Sequence, residues 1–377
     1  MTIKIFTPPP WTVFYRLNYI STKAHHGWDY TPLVSTAYPD THSQFICDHT
    51  DAFSLRFLKE DKIYLIASSN GLVLCSTSRS NYYQNKYYVC NPLTRQWVSL
   101  PPPPPNCRHS PALHLHGFIC ASSSSSSSLT SAPSFKVVLI PRKRHPSTKF
   151  DIEIFCSDMG KWNTYQVSCP REVWMSWSIP SNVVSRNGLL YWFEGGGNGI
   201  IAYDLSNNNE DGCHQCRLIA FPKERSYPDY YYEECLGESE GFICFFQLQN
   251  SRETLSLWVL EEDYSNGEWV FHWACKISKL KEIIAAEKDG KFRNIEVVGK
   301  DMSSIVAFSP LDRNVVILKY RTNILACNMQ TKTSEVLLYS PSPTSQDFRR
   351  MWHGRPSSFV LTPKLTPLPP SFWSDTN

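Results

Sequence analysis

The chain has 377 residues, a formal net charge of +3, and 14% aromatic against 19% charged residues. That length carries a large buried core, in one big domain or two small ones. The weak net charge excludes the strong basic field of a nucleic-acid or membrane-surface binder. No run approaches the roughly 18 apolar residues of a membrane-spanning helix, and the prolines at positions 8–10 interrupt the place where a signal peptide needs its apolar stretch.

Residues 1–44 lack a sustained period, although Phe14, Tyr15, Leu17 and Tyr19 suit a strand. Gln44–Cys47 and Phe53–Leu58 read as a pair of short strands. The stretch Ile63–Pro105 then sets a pattern that the chain repeats. Three apolar runs, Ile63–Ala67, Leu72–Cys75 and Tyr87–Cys90, and a weaker one, Gln96–Leu100, are strand-length and rich in Val, Leu, Ile, Tyr or Trp. Asn70-Gly71 separates the first two and tolerates the positive φ of a tight hairpin. Asn91-Pro92-Leu93-Thr94-Arg95 separates the last two, with Pro fixing φ and Asn and Thr able to bond to local backbone. The prolines after Leu100 cannot donate ladder hydrogen bonds and end the strand. This is a four-stranded antiparallel meander of propeller-blade size.

A second unit begins at Ala112, is interrupted by the serine run Ser122–Ser128, and resumes over Phe135–Ile140, Asp151–Cys156 and Trp162–Val167. A third runs from Asn182 to Pro222, where Asn187-Gly188-Leu189 repeats the grammar of Asn70-Gly71-Leu72. A fourth spans about Cys235–Ile277, and a fifth Ile295–Tyr339. Between the last two, Ser278–Glu287 predicts one short helix, with Leu280, Ile283 and Ile284 on one face. The expected fold is all-β: a single propeller of six or seven four-stranded blades, the last assembled from the two ends, with the strand around Phe14 pairing near Phe359. Residues 1–44 are a poorly defined segment, 45–362 the propeller and 363–377 a disordered tail.

The segment Tyr88–Pro101, preceded by Ser68–Ser76, closely resembles the F-box-associated propeller domain of plant F-box proteins, a kelch-like domain. Asn70, Gly71, Leu72, Asn91, Pro92, Thr94, Trp97, Leu100 and Pro101 match its signature, and Asn187–Trp192 matches its second segment. The resemblance covers roughly residues 45–345. It implies an intracellular protein-binding module of the cytoplasm or nucleus, not an enzyme, that recognises the target of a ubiquitin ligase. In that family an N-terminal F-box, opening on a Leu-Pro pair, binds a Skp-type adaptor of a cullin ligase through short helices. Residues 1–44 contain no Leu-Pro and no amphipathic helix, so the adaptor is expected as a partner only if an F-box stands upstream. Two alternatives stay open: a propeller enzyme such as a glycan-acting hydrolase, and a truncated non-functional relative.

The remaining motifs weigh toward structure. The 13 cysteines are odd in number and sit mostly in apolar runs, which suits reduced thiols in a reducing compartment. Cys213-His214-Gln215-Cys216 lacks the second close pair of a zinc site and reads as a turn with two free thiols, and His114 and His116 share a strand face without a carboxylate at defined spacing. Gly195–Gly199 has no following Lys-Ser/Thr and reads as a hairpin loop. The basic run Arg142–Arg144 with Lys149 reads as a solvated loop. No cofactor, metal, nucleic acid or membrane is implied. The family-motif residues Asn70, Gly71, Leu72, Asn91, Pro92, Trp97, Asn187 and Gly188 are read as structural, with Trp97 packed on a neighbouring blade or on the Asn91-Pro92 turn. Tyr227, Tyr230, Tyr231 and Tyr232, clustered beside Pro228, are candidates for protein contact, with packing of the rings on the propeller rim as the alternative.

Overall fold

The structure is a computed structural model. It describes residues 55–58, 63–77, 86–104, 114–121, 133–141, 145–175, 183–205, 214–222, 232–249, 254–261, 268–285, 302–320, 323–338, 357–361 and 364–369, residues 60 and 143, and the backbone of short strands within 12–37. Those short strands are β1 (Thr12–Arg16), β2 (Asn18–Ile20), β3 (Trp28–Tyr30) and β4 (Val34–Ala37). Five four-stranded meanders follow. They are β5 (Tyr64–Ser69), β6 (Leu72–Ser76), β7 (Tyr87–Asn91) and β8 (Gln96–Ser99); β9 (His114–Cys120), β10 (Phe135–Pro141), β11 (Ser147–Cys156) and β12 (Lys161–Val173); and β13 (Val184–Arg186), β14 (Leu189–Phe193), β15 (Ile200–Asp204) and β16 (His214–Ile219). The fourth is β17 (Tyr232–Ser239), β18 (Phe242–Gln249), β19 (Thr254–Glu261) and β20 (Glu268–Lys276). After helix α1 (Ile277–Ala285) comes the fifth, β21 (Met302–Phe308), β22 (Val315–Tyr320), β23 (Asn323–Asn328) and β24 (Thr333–Leu338), and then β25 (Ser357–Leu361).

Each meander pairs consecutive strands antiparallel, as hairpin-connected strands of alternating direction must. The sequence expectation of an all-β, propeller-type chain with one short helix holds. The two ends also meet: β1 lies between β25 and β4, with Phe14 opposite Phe359. Phe53–Leu58 departs from expectation, because Leu55–Leu58 form a 3-10 turn that buries Leu55 and Leu58 rather than a strand. Gln44–Cys47 lies outside the described residues.

The chain divides into two compact units. One comprises Met1–His49, Glu224–Asp263 and Glu268–Thr362; the other Thr50–Lys223, Tyr264–Gly267 and Pro363–Asn377. In the first, the core is built from alternate residues of β18, β19, β22 and β23, among them Phe246, Leu257, Val316 and Leu325. Helix α1 lays Leu280, Ile283 and Ile284 onto it, and the Ser334 hydroxyl donates to the Ile283 carbonyl at 2.8 Å, pairing a carbonyl near the helix end.

In the second unit, β12 and β16 run parallel for two residue pairs, Val167–His214 and Ser168–Gln215, and so join two meanders into one eight-stranded sheet. The next pair in register, Cys169 and Cys216, is disulfide-bonded, with Cα atoms 5.4 Å apart. This corrects the reading of Cys216 as a free thiol of a Cys-x-x-Cys turn; its partner is 47 residues away. The bond follows from two meanders sharing outer strands, which the local spacing of cysteines does not reveal. The cysteines Cys75, Cys90, Cys120, Cys156, Cys235, Cys244, Cys275 and Cys327 remain free thiols, and burial pushes Cys120 up to about 11 and Cys244 and Cys327 up to about 12.

Candidate protein-interaction site

At the first hairpin, Asn70 (φ 47°) and Gly71 (φ 82°) take the two left-handed positions of a two-residue turn. Asn187 (φ 48°) and Gly188 (φ 85°) take the same positions in the third meander. The surroundings differ. A Cβ on Gly188 would meet nothing within 4 Å, whereas one on Gly71 would stand 2.7 Å from Lys364 Cβ and 2.9 Å from the Lys364 carbonyl oxygen.

Asn91 explains why Lys364 is there. Its Oδ1 accepts the Leu93 N–H at 2.9 Å and the Thr94 N–H at 3.4 Å, the side-chain turn that Asn-Pro-Leu-Thr encodes. Its Nδ2 is then left pointing outward from the turn, and it donates to the carbonyls of Lys364 at 2.9 Å and Thr366 at 2.8 Å. Asn70 completes a clamp. Its Oδ1 accepts from Lys364 Nζ at 2.8 Å, its carbonyl accepts the Thr366 hydroxyl, and its Nδ2 donates to the Ala121 carbonyl at 2.9 Å. The held segment alternates: Thr366 is buried and Leu368 packs beside the core that contains Leu72, Leu74 and Leu100, while Leu365 and Pro367 face outward. Residues 364–368, expected in a disordered tail, are therefore an ordered strap. Leu72 is fully buried and Pro92 is buried in the turn.

The turn after β23 repeats the chemistry. Asn328 Oδ1 accepts from the N–H groups of Gln330 and Thr331, both at 2.9 Å, and Lys332 (φ 60°) matches Arg95 (φ 58°). Asn328 Nδ2 turns instead to the Asp312 carboxylate at 3.3 Å. The Asn91 amide thus holds the strap, whereas the Asn328 amide holds Asp312.

Trp97 corrects another expectation. It is 44% exposed and meets Tyr88 edge-on within its own sheet, with ring centroids 5.5 Å apart. Trp97 lies opposite Cys90 and shares its alternation with the neighbour Ser99, opposite Tyr88. The Tyr88 hydroxyl donates to the Glu60 carboxylate, which also pairs with Lys86 at 3.2 Å. The Tyr88 hydrogen bond is the main cause holding the Glu60 carboxyl below its ordinary range, with Lys86 assisting against desolvation. Tyr227, Tyr230 and Tyr231, and the side chain of Tyr232, lie outside the described residues.

A different group of loops meets around Trp174, just past β12. Val173 and Met175 on either side are buried, and Trp174 is 42% exposed. The loop Gly195–Gly199 joins β14 to β15, as its glycines predict. Its anchor is Glu194, 1% exposed, whose Oε1 accepts the Trp174 N–H at 2.9 Å and whose Oε2 accepts the Asn198 N–H at 3.0 Å. Gly195 N–H returns to the Trp174 carbonyl at 2.7 Å. Gly196 has no room for a side chain: a Cβ there would stand 2.9 Å from Glu194 Oε1 and 3.0 Å from Trp174 Cδ1. On the other side, Lys143 N–H donates to the Met175 carbonyl at 3.1 Å and its ammonium caps the Lys149 carbonyl at 2.9 Å. Lys143 is half-buried; Arg142 and Arg144 lie outside the described residues. Neither Trp174 nor Glu194 stands out in the sequence. The available signal is a carboxylate directly before a glycine run.

The histidine motifs resolve into packing. His116 Nε2 bonds the Tyr87 hydroxyl at 3.0 Å, and His214 Nδ1 the Tyr203 hydroxyl at 2.7 Å, with the Tyr165 ring tilted at 60° to the His214 ring and its centroid 4.5 Å away. Among the described residues no three His, Cys, Asp or Glu side chains converge as a metal site would need.

Residues 50–355 match the family described as F-box protein At3g26010-like, beta-propeller. The chain is 25% identical over 288 residues to the putative F-box protein At3g23970 of Arabidopsis thaliana, covering 72% of this chain and 64% of that protein. It is 30% identical over 221 residues to the F-box protein At5g49610 of the same plant, covering 57% and 56%. It is 23% identical over 283 residues to the putative F-box/kelch-repeat protein At4g22430, covering 72% and 57%. The matches thus span between roughly half and two-thirds of the length of these relatives.

Proposed function

The chain belongs to the F-box protein At3g26010-like β-propeller family, and from that premise we propose that it is a protein-interaction module that recognises the target of an F-box-type ubiquitin ligase. The observation that carries this reading is the match over residues 50–355, which takes in all five meanders. The propeller domain is taken as residues 45–362 with the strap added to it. The buried carboxylate Glu194 is spent on two main-chain N–H groups, and His116 and His214 bond tyrosine hydroxyls, so these three side chains serve the fold. A Skp-type adaptor is a partner where an F-box stands upstream of this sequence, and the working compartment is the cytoplasm or nucleus. No helix among the described residues is long and apolar enough to cross a membrane.

The test is binary. Proteins recovered with the tagged chain from plant cells are expressed singly, purified and titrated against it. At least one should bind saturably, and the purified chain should not retain a Skp-type adaptor. Absence of any saturable binary partner would sink the interaction reading. Retention of the adaptor by the chain alone would show that residues 1–44 hold an adaptor-binding element.

A further inference from the structure

The strap carries the dipeptide Thr366-Pro367. A proline at the next position biases residue 366 toward extended backbone. Thr366 is also the point where the strap is pinned hardest. Its hydroxyl donates to the Asn70 carbonyl, and its own carbonyl accepts from Asn91 Nδ2 at 2.8 Å. Two residues back, Lys364 Nζ donates to Asn70 Oδ1 at 2.8 Å. Thr366 is 3% exposed, while Leu365, at 76%, and Pro367 face outward. The Thr366 hydroxyl therefore meets a bare acceptor, a carbonyl that welcomes a proton and has nothing to offer a negative charge.

A hydroxyl directly before a proline in an extended segment is the form that proline-directed protein kinases accept. One other such dipeptide lies among the described residues, Ser309-Pro310, and its setting is different. Ser309 Oγ accepts the Leu311 N–H at 3.2 Å and its carbonyl accepts the Ser239 hydroxyl, so Ser309 is folded into the turn after β21. The strap is free of that constraint. It belongs to none of the described sheets, and the hydrogen bonds that hold it each use a side chain of Asn91, Lys364 or Thr366. A segment held in this way opens locally at much lower cost than the strands beneath it.

We propose that Thr366 is a phosphorylation site for a proline-directed protein kinase, and that the phosphate releases the strap from the first meander. The kinase takes Thr366 from the lifted strap. The γ-phosphoryl group of ATP passes to Oγ1: the new P–O bond forms as the bond to ADP breaks, and the hydroxyl proton leaves to the kinase's base. The product has lost the donor that met Asn70 and carries a charge of about −2 on acceptor oxygens. Docked, those oxygens would stand unpaired against the Asn70 carbonyl, in a place closed to water. Lys364 does not hold the phosphate there, because its exposed ammonium can follow it into solvent. Release takes Leu368 away from the core that contains Leu72, Leu74 and Leu100.

The full chain and a synthetic peptide of residues 360–372 are incubated with ATP and a panel of purified proline-directed kinases. Phosphate on Thr366 is followed by mass spectrometry. The peptide should be modified, and the chain also, roughly tenfold or more slowly, because only its lifted fraction reacts. Asn91→Ala should bring the chain close to the peptide's rate, and Ser309→Ala should leave the rate unchanged. Amides of residues 364–366 and 368 should exchange fast in the phosphorylated chain and in Thr366→Glu. Thr366→Val, of the same shape without the hydroxyl, should give a smaller rise. Thermal melts confirm that each variant is folded. No phosphate on Thr366 in the chain, whether or not the peptide is modified, would overturn the site. Phosphate on Thr366 with exchange over the strap still slow would overturn the release. A chain modified as fast as the peptide would show the strap already lifted in solution, and the switch would fall with it.

Discussion

Asn91 and Thr366 are joined by a hydrogen bond of 2.8 Å, from Nδ2 to the main-chain carbonyl, across 275 residues of sequence. The same amide serves a local turn through its oxygen and a distant strap through its nitrogen, so the two ends of one side chain carry two different structural duties. Asn91→Ala removes both and leaves buried carbonyls unpaired, at a cost of about 2–4 kcal/mol. Asn91→Asp keeps the turn acceptor but sets a carboxylate oxygen against the carbonyls of Lys364 and Thr366. Both variants should raise amide exchange over residues 364–368. For Asn91→Asp alone, exchange at Leu93 and Thr94 should stay slow; equal loss at both places would show turn and strap to be one unit.

Gly71 and Gly188 have the same φ and different neighbours, which separates backbone strain from steric conflict. Gly188→Ala should cost about 1 kcal/mol, the left-handed penalty alone. Gly71→Ala adds the close approach to Lys364 and should cost at least about 2 kcal/mol in urea titration. Removing residues 363–377 from both variants should make the two costs equal, since the conflicting atoms are then gone.

Trp97→Ala should cost about 1–2 kcal/mol, not the 3–5 kcal/mol of a fully buried aromatic. The ring is 44% exposed, and among the described residues it meets the Tyr88 ring edge-on. A larger loss in the melting transition would mean that Trp97 is covered in solution.

The Cys169–Cys216 bond closes a loop of 47 residues, worth up to about 4 kcal/mol in the chain-entropy account. Under oxidising conditions Cys169→Ala should lower the melting temperature, and adding reductant to the parent should lower it by the same amount. In a reducing buffer, parent and variant should converge. Mass spectrometry of peptides prepared without reduction should find these two residues linked.

Burial lowers the pKa values of His214 and His272, with the charge of Arg313 adding to the effect at His272. A histidine depressed in the folded state contributes its full stability above its unfolded pKa, about 6.5, and loses it as pH falls toward the folded value. Urea midpoints should therefore hold steady from pH 8 to near that value and fall below it. His214→Gln should flatten part of the fall, and an unchanged slope would place His214 in contact with solvent.

The features legible in the sequence are those whose cause is local. Asn-Gly before a Leu run gives the hairpins at residues 70 and 187 because the φ requirement sits in the dipeptide itself. The alternation around Phe14 points to its pairing near Phe359. Trp97 is read as packed because large aromatics usually are, but in an outer strand half the positions face solvent, and pattern alone does not choose the face. The strap and the disulfide have no local signal at all. Thr366 looks like any residue of a proline-rich end until Asn91 is placed beside it, and Cys169 meets Cys216 only because two meanders share a sheet edge. Glu194 shows in sequence only as a carboxylate before a glycine run, because its duty is defined by Trp174, twenty residues back.

The strap also sets an order of events in synthesis. Its contacts reach back 273 to 296 residues, so the first meander emerges from the ribosome long before the segment that completes it. Until then the Asn91 amide and the Asn70 carbonyl must be satisfied by water, and the groove beside Leu72 stays uncovered. Contacts of such long range are slow to form and leave apolar surface open meanwhile. The first meander, though translated early, should be among the last parts of its unit to become resistant to proteases, and a chaperone arriving during translation would find its binding surface there.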